Sequence, residues 1–583
     1  MTTDRFTMDV LREGFAAISD EMFVSLQRTS QSPIIYEVLD FGVGISDANG
    51  ELVSQGNGIA GFLGPLGDAI KETIARHKEL RPGDVIIAND PYSGGGTHLS
   101  DVALVRPVFA GTAGDPGGSS PRAGTELVGF AAAKGHWTEV GGKDPGSWTA
   151  DSQDVYAEGL QLPFVHAYRE GKPVHDIRAI LAANSRLPEM VLGDLAAQAA
   201  CLEVAERRLL EMCERYGVAT VTTAMRAVLE RSERLCVDAL ARIPHGVFTA
   251  EDFTDTDGLG NGPFPVRVRV QITENGVTCD FTGSHDQVPG PINCTWSGLV
   301  SGVRTVFKAI TDPAEPATDG WFRPLTIISP PGSIFNATRP APVAAYFEAT
   351  EMASDLVWHA LAPAFPDRLP AGTFVSVCST SLALTHPDTG EETLLVEPQP
   401  GGWGATRDAD GQHGLVSVGD GETYTIPVEV AEQRYGVRVE RFGFDIVPGA
   451  GAGRRRGGRG LVREYRICSD EALLTVAWGR HLYPPWGAAG GGDGSPNYVE
   501  VLRDGKPLGE RFGKISRMPL RRDDVVRLVT GSGGGYGAPS EREPARVADD
   551  LLDELVTPAE ATSFYGHDQP GEPGSSPSEL EPN

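Results

Sequence analysis

DVIIANDPYSGGGTHLSDVALVRPVF, residues 84–109, is the stretch from which the rest of the chain is interpreted. Its first part, DVIIAND (84–90), has the apolar and β-branched character of a short buried strand that ends in polar residues. Three glycines follow, and glycine lets a backbone bend sharply and approach a ligand closely. VALVRPVF (102–109) then predicts a second buried strand. The stretch therefore predicts two strands joined by a Gly-rich loop that carries His98 and Asp101.

The side chains of this loop indicate metal chemistry. His98 and Asp101 offer an imidazole nitrogen and a carboxylate oxygen, a donor pair that suits Zn, Mn or Fe(II). KGHWTE (134–139) follows another apolar strand and again joins a histidine, His136, to a carboxylate, Glu139. For His136 alone, the alternative interpretation is a strand-end histidine with ordinary hydrogen bonds.

Two further acids occur in IIYEVLDF (34–41), which we interpret as part of a strand pair over residues 34–53. Buried carboxylates are costly unless they meet a cation or hydrogen-bond donors. Glu37 and Asp40 therefore need partners if this strand is buried. A single divalent metal held by Asp40, His98, Asp101 and His136 would neutralise Asp40, and these four residues are the predicted ligands.

Composition excludes several classes of protein. The 583 residues carry a net charge of −29, which disfavours nucleic acids and anionic membrane surfaces as partners. No run of about 18 apolar residues predicts a membrane span, and the N-terminus lacks the apolar segment of a signal peptide. The seven cysteines are scattered and form no CxxC pair. Buried thiols in a reducing cytoplasm are the expectation.

Periodicity along the chain predicts the fold class and three regions. The class is α+β, a mixed multi-sheet architecture with a helical band in the middle of the chain, near 177–243. Residues 1–245 are expected to form an N-terminal metal-site region that includes these helices. Residues 246–566 are expected to form a β-rich region, and residues 567–583 a tail that is disordered by composition. The breaker-rich segment 110–125 is expected to be an exposed loop.

Several segments, in order along the chain, resemble the hydantoinase B / 5-oxoprolinase B-subunit family, which includes N-methylhydantoinase B. The likeness runs from about residue 5 to 566. The segments that carry it include EVLDFGVGISDANGELVSQ (37–55), NDPYSGGGTHLSD (89–101), GHWTEVGG (135–142), GGWGATRDADGQHG (401–414) and GSGGGYGAPSEREPARVADD (531–550). The chain departs from the family pattern at His136-Trp137, where two adjacent histidines are usual, and at Phe62, where a histidine is usual.

The resemblance implies a metal-binding component of a hetero-oligomeric enzyme. Such B-type chains work with a hydantoinase A-type partner that binds ATP, and together they open lactam, hydantoin or 5-oxoproline rings. The family's divalent-metal ligands fall on Asp40, His98, Asp101 and His136, the set that charge neutralisation also predicts. We expect the partner to phosphorylate a small cyclic amide and the metal in this chain to assist hydrolysis of that intermediate. Asp90 and Glu139 are candidates for the general base or for a carboxylate that orients a histidine.

Two other functions stay open at this point. Related chains belong to acetone and acetophenone carboxylases, which activate bicarbonate and a ketone. The chain could also be a non-catalytic, metal-stabilised scaffold for the A-type partner. RRRGGRG (454–460) is the main basic cluster, and it is interpreted either as a solvated turn or as a docking point for a phosphorylated intermediate or an acidic partner surface.

Overall fold

The structure is a computed structural model that describes residues 5–56, 58–62, 64–111, 125–444 and 449–567. Most of the predicted loop (112–124) and almost all of the predicted tail (568–583) lie outside the described residues. Within the described ranges, no helix is both long enough and apolar enough to cross a lipid bilayer.

Eleven α-helices occur in the described residues. They are α1 (Arg5–Thr29), α2 (Pro33–Tyr36), α3 (Pro65–Arg76), α4 (His175–Ala183), α5 (Pro188–Tyr216), α6 (Val218–Leu240), α7 (Trp296–Thr311), α8 (Phe347–Leu361), α9 (Val428–Tyr435), α10 (Pro544–Leu552) and α11 (Pro558–Tyr565). Helices α4, α5 and α6 form the predicted helical band. Pro188 opens α5, and Gly217, with a φ of 85°, ends it.

Twenty β-strands occur in the same residues. They are β1 (Phe41–Asp47), β2 (Leu52–Gln55), β3 (Val85–Ala88), β4 (Asp101–Gly111), β5 (Thr125–His136), β6 (Val165–Arg169), β7 (Lys172–Pro173), β8 (Gly246–Thr254), β9 (Phe264–Thr273), β10 (Gly276–Asp280), β11 (Leu325–Ile328), β12 (Ser379–Thr385), β13 (Glu392–Glu397), β14 (Val437–Phe444), β15 (Leu461–Ile467), β16 (Glu471–Ala477), β17 (Tyr498–Arg503), β18 (Lys506–Pro507), β19 (Lys514–Arg521) and β20 (Val525–Val529).

The strands form four separate sheets, so the fold is α+β with several sheets, as predicted. The first sheet has the order β2-β1-β5-β4-β3-β6-β7, and the second has the order β11-β10-β9-β8. The third has the order β13-β12-β16-β19, and the fourth β14-β15-β20-β17-β18. One face of the second sheet is buried, as strand β9 illustrates. Its residues alternate between buried and largely exposed, and the buried ones are apolar.

The predicted strand at residues 34–40 is wrong. Pro33 begins the short helix α2 instead, and proline is well suited to the first turn of a helix. Leu39 then adopts a φ of 66°, which turns the chain, and β1 starts only at Phe41. The hairpin that follows pairs β1 with β2, as the later part of this segment predicts.

Two large hydrophobic cores hold the chain together. The larger draws residues from Leu11 to Leu229 and again from Phe374 to Leu528. The second lies mostly between Cys236 and Leu369, with Ala150 and Ala477 added. The start of the second core lies close to the predicted boundary at residue 245. The first core, however, crosses that boundary, so the three-region division stays a prediction.

The glycine clusters of the C-terminal half pack against one another's backbone. A Cβ atom on Gly402 would lie 2.3 Å from the Gly458 carbonyl oxygen, and one on Gly457 would lie 1.9 Å from that of Gly533. Among the described residues of the clusters at 401–405 and 530–539, Gly537 alone has a positive φ angle. Close backbone approach, which any side chain would block, explains them instead.

The basic segment RRRGGRG anchors the C-terminal helices. Arg456 pairs with Asp550 of α10 at 3.2 Å, and Arg459 lies 3.6 Å from Glu560 of α11. Arg542 reinforces this contact through Asp550 at 2.6 Å. The side chains of Arg456 and Arg459 are almost completely buried. These two arginines are therefore not part of a solvated turn.

Candidate metal centre

Strand pairing brings three of the predicted ligands to one end of the first sheet. Asp101 begins β4 and His136 ends β5, and the two residues are direct cross-strand partners. Phe41 pairs with Gly135, so Asp40 lies beside His136, whose backbone N–H donates to the Asp40 carbonyl at 3.0 Å. The register of three antiparallel strands thus sets the positions of these side chains.

The Gly-rich loop delivers the fourth residue, His98. The loop folds back on itself: a Cβ atom on Gly96 would lie 2.5 Å from the Asn89 carbonyl oxygen. The Asn89 side chain fixes this fold, because its amide donates to the Leu99 carbonyl at 2.7 Å. His98 therefore returns to the start of β4, next to Asp101.

His98, Asp101 and His136 form a compact, buried cluster. The His98 Nε2 atom lies 3.2 Å from Asp101 Oδ1 and 3.1 Å from His136 Nδ1, and His136 Nδ1 lies 3.3 Å from Asp101 Oδ1. Two ligands at about 2.0–2.1 Å from a tetrahedral zinc would be separated by about 3.3 Å. The spacing of the three donor atoms therefore fits a metal ion.

The protonation of the cluster also suits a cation. Burial alone would raise the pKa of Asp101, but its interactions with His98 and His136 bring it well below its usual value. Burial lowers the pKa of His136, so its ring is neutral near pH 7. Metal binding needs an ionised carboxylate and a neutral imidazole. His136 Nε2 is also buried without a hydrogen-bond partner among the described residues.

Asp40 faces the same space but lies outside the tight three-residue cluster, whose donor atoms all lie within 4.8 Å of one another. Burial, and then the nearby Asp101 and Asp420, raise the pKa of its carboxyl group well above the usual value. A cation in this space would lower the pKa of Asp40, since an opposite charge favours the ionised form. Its role as a fourth ligand stays a prediction.

The cluster opens onto a cavity of about 40 Å³, which we call the site cavity. Residues from both halves of the chain line it: Asp40, Ile59, Gly61, His98, Asp101, His136, Trp148, Tyr346, Phe347, Thr350, Glu351, Val377, Gly419 and Asp420. At about 10–15 Å³ per water, this space holds about three waters and no ring. The Gly61 N–H donates to the Gly419 carbonyl at 2.7 Å, so a ring substrate requires side chains or these segments to move.

Trp148, Glu351 and Asp420 were missed by sequence reasoning. Glu351 lies in α8, whose buried residues surround most of the helix, and acids recur there at 348, 351 and 355. Acids at this spacing in an otherwise apolar helix are a usable signal of a buried polar site. Trp148 and Asp420 lie in irregular segments, where no periodicity marks a buried side chain.

A second layer of contacts orients His98. Its Nδ1 atom lies 2.9 Å from the Ala344 carbonyl oxygen, so Nδ1–H donates there and Nε2 is left for the cluster. The buried Glu158 carboxylate accepts the backbone N–H groups of Val343 and Ala344 at 2.9 and 3.0 Å. Ser152 donates to the same carboxylate at 2.7 Å. Glu158 therefore fixes the Val343–Ala344 backbone, and the Ala344 carbonyl in turn orients the His98 ring.

Replacing Glu158 with glutamine should weaken metal binding about tenfold, because partners that orient a ligand are typically worth 10–100-fold. The amide would place an N–H group against backbone N–H groups and loosen Ala344. Titration of metal-free protein with Mn²⁺ or Zn²⁺ against a chelator measures the change. Glu211→Gln, which alters a surface pair with Arg208, is the control. Unchanged affinity in a folded Glu158→Gln variant would contradict the orienting role.

Asp90 and Glu139 lie outside the lining of the site cavity and contact arginines. Asp90 pairs with Arg339 at 2.9 Å and caps the turn that follows it, accepting the Tyr92 N–H. Glu139 pairs with Arg186 at 3.0 Å and accepts the Gly146 N–H at 3.1 Å. Their predicted roles in proton transfer or in orienting a histidine stay predictions. Glu37 follows α2 and is not part of the cavity lining either.

Comparison with known proteins establishes the family. The family model described as Hydantoinase B/oxoprolinase matches residues 4–539. The chain belongs to this family. The resemblance found in the sequence is therefore confirmed, and the family extends across both halves that line the site cavity.

Individual relatives agree with this membership. The chain is 30% identical to a putative D-/L-hydantoinase component of the B type from a Pseudomonas strain, and the match covers 97% of this chain and 95% of the relative. It also superposes on the crystal structure of an ATP-dependent caprolactamase from Pseudomonas jessenii with a TM-score of 0.89 and 28% identity, covering 98% of this chain and 97% of the other. An acetone carboxylase structure matches with a TM-score of 0.87 at 17% identity, over 97% of this chain and 79% of the other, a likeness of fold alone.

Proposed function

We propose that this hydantoinase B-type chain is one component of a hetero-oligomeric, ATP-dependent enzyme that opens cyclic amides. The observation that carries the proposal is the buried His98–Asp101–His136 cluster, whose donor spacing fits a divalent cation. Family membership and the relatives named for hydantoin and caprolactam support the reaction class. The proposed setting is the cytoplasm, with a hydantoinase A-type partner.

The partner would supply the ATP chemistry. The chain lacks the GxxxxGK[ST] pattern of a P-loop. An A-type partner would transfer a phosphoryl group to the amide oxygen, which makes the amide carbon easier to attack. Water would then add to this carbon and the ring C–N bond would break. The products would be ADP, phosphate and either an amino acid from a lactam or an N-carbamoyl amino acid from a hydantoin.

The residues of this chain would bind and orient the reacting groups. A divalent cation, Mn, Zn or Fe, would supply Lewis acidity toward a carbonyl or phosphoryl oxygen. Asp40, His98, Asp101 and His136 would hold it, and the charges of the two aspartates would balance its own. Ala344 would keep His98 in the tautomer with a free Nε2. Asp90 or Glu139 would act as base or as an orienting carboxylate.

The test is reconstitution of the chain with an A-type partner. We expect metal near one ion per chain by elemental analysis, and ring opening of hydantoin or caprolactam with one ADP formed per ring. The chain alone, and the complex without ATP, are the controls and should be inactive. Ring opening by the chain alone would refute the proposal. So would product formation that requires bicarbonate and a ketone, the behaviour of the carboxylase alternative.

A further inference from the structure

The charges of the site cavity are unusual for a site that meets small molecules. Four of its lining residues are acids: Asp40, Asp101, Glu351 and Asp420. Among the described lining residues there is no lysine or arginine. Lys134, two residues before His136, is buried and lies 5.6 Å from the Phe62 ring, and it is not part of the lining. The cavity therefore offers a substrate no cationic side chain.

A bound metal would not give the cavity a net positive charge that could pair with a substrate carboxylate. A divalent cation brings two positive charges, and the ionised side chains of Asp40 and Asp101 bring two negative ones. A substrate carboxylate would thus enter a buried site next to Glu351 and Asp420 with no counter-charge. Removing an anion from water without a paired cation is strongly unfavourable.

The cavity instead offers hydrogen-bonding groups for a neutral polar molecule. Trp148 is 5% exposed, and its Nε1–H has no hydrogen-bond partner among the described residues. The Asp420 Oδ2 atom is likewise buried without a partner there. A buried tryptophan N–H normally finds an acceptor, because leaving it unpaired is costly. Both residues line the cavity, so a ligand that brings an acceptor and a donor would satisfy both groups.

The walls beside these groups are apolar. Ile59, Phe347 and Val377 line the cavity, and the Trp148 ring packs against His136 with ring centroids 5.2 Å apart. Apolar walls with a few convergent polar groups are typical of small-molecule sites. A ring amide has this character: a carbonyl acceptor, an N–H donor and a hydrocarbon remainder.

We propose that the site cavity selects ring amides that carry no carboxylate, with Trp148 Nε1–H and the Asp420 carboxyl group facing the amide. This inference rests on the proposed function and narrows its substrate class. Once the side chains or segments that close the cavity move, neutral lactams and unsubstituted hydantoins match its charge, and 5-oxoproline, whose ring bears a carboxylate, does not.

The decisive experiment compares 2-pyrrolidinone with 5-oxoproline, which share one lactam ring and differ by the carboxylate. The metal-loaded complex with an A-type partner is used, with binding followed by ligand-observed NMR and ring opening by ATP-dependent product formation. We expect 2-pyrrolidinone to bind more tightly and to have a kcat/KM at least about tenfold higher. That factor corresponds to about 1.4 kcal/mol, within the usual cost of an unpaired buried group.

A tryptophan variant tests the recognition group itself. Trp148→Phe removes the N–H donor and should weaken 2-pyrrolidinone binding about tenfold. Trp321→Phe is the matched control, since Trp321 is also buried but donates to Thr311 Oγ1 at 3.0 Å in the second core. Its binding of 2-pyrrolidinone should be unchanged. Thermal unfolding of both variants checks that each is folded.

The outcomes separate this inference from the proposed function. If 5-oxoproline binds or reacts as well as 2-pyrrolidinone while ATP-dependent ring opening is observed, the selection is refuted and the function stands. If 2-pyrrolidinone binds preferentially and depends on Trp148, but no ring is opened with ATP, the selection stands and the function is refuted. Failure of 2-pyrrolidinone to bind refutes the selection.

Discussion

Replacing His98 with alanine is expected to remove the bound metal and the ring-opening activity together. His98 contributes one of three donor atoms that lie 3.1–3.3 Å apart in a buried cluster, and nothing else in the described lining offers a replacement imidazole on that side. Activity should fall more than about 100-fold, because even partners that only orient metal ligands are worth 10–100-fold. Metal content should fall from about one ion per chain to nearly none.

The control for this variant is His175→Ala, because His175 is exposed at the start of α4, outside the site cavity. Elemental analysis and ATP-dependent ring opening should be unchanged in the control. Circular dichroism would establish that His98→Ala is folded. A folded His98→Ala protein that retains a full complement of metal would rule out the assignment of the centre. Asp101→Ala gives an independent second test at the same cluster.

Replacing Arg480 with methionine is expected to lower the free energy of unfolding by about 3–5 kcal/mol. Arg480 is 3% exposed, pairs with Asp252 of β8 at 2.8 Å, and makes a shorter contact with Asp355 of α8. Removing one partner of a buried ion pair leaves uncompensated charge in a region of low polarity, which accounts for the size of the loss. Chemical denaturation of the purified chain measures it.

Two comparisons sharpen this prediction. Arg267→Met disrupts only an exposed pair with Glu251 at 3.7 Å and should cost about 0–1 kcal/mol. Combining Arg480→Met with Asp355→Leu removes much of the unpaired charge and should restore part of the stability. A loss no larger for Arg480→Met than for Arg267→Met would contradict the account. Since α8 also supplies Phe347 and Glu351 to the site cavity, KM should rise in Arg480→Met.

The local part of the site was predictable from the sequence because it is made from neighbouring strands. The apolar runs around residues 84–109 predicted β3 and β4, and the Gly-rich loop between them was predicted to carry His98 and Asp101. The His136 side chain joins them because β5 pairs with β4, a pairing that the sequence alone only suggests. Asp40 was found for its acidity within an apolar segment, although the strand predicted there is wrong.

The distant part of the site was not predictable by the same reasoning. Trp148, Glu351 and Asp420 reach the cavity through packing between segments that are far apart in the chain, and pattern analysis treats each segment alone. The close packing of the glycine clusters was not predictable for a related reason. The backbones of distant clusters, such as those of Gly402 and Gly458, pack so closely that no side chain fits between them. The local sequence of one segment does not show which other segment packs against it.

The origin of the His98 contacts has a consequence for the order of events during biosynthesis. Asp101 and His136 meet only when β4 and β5 have paired, and His98 is held by Ala344, which the ribosome adds more than 200 residues later. A nascent chain that has emerged only as far as β5 has the donors but not the peptide that fixes the imidazole. Stable binding of the proposed ion should therefore wait until the segment around Ala344 has emerged and folded, and pairing of β4 with β5 should not be sufficient for it.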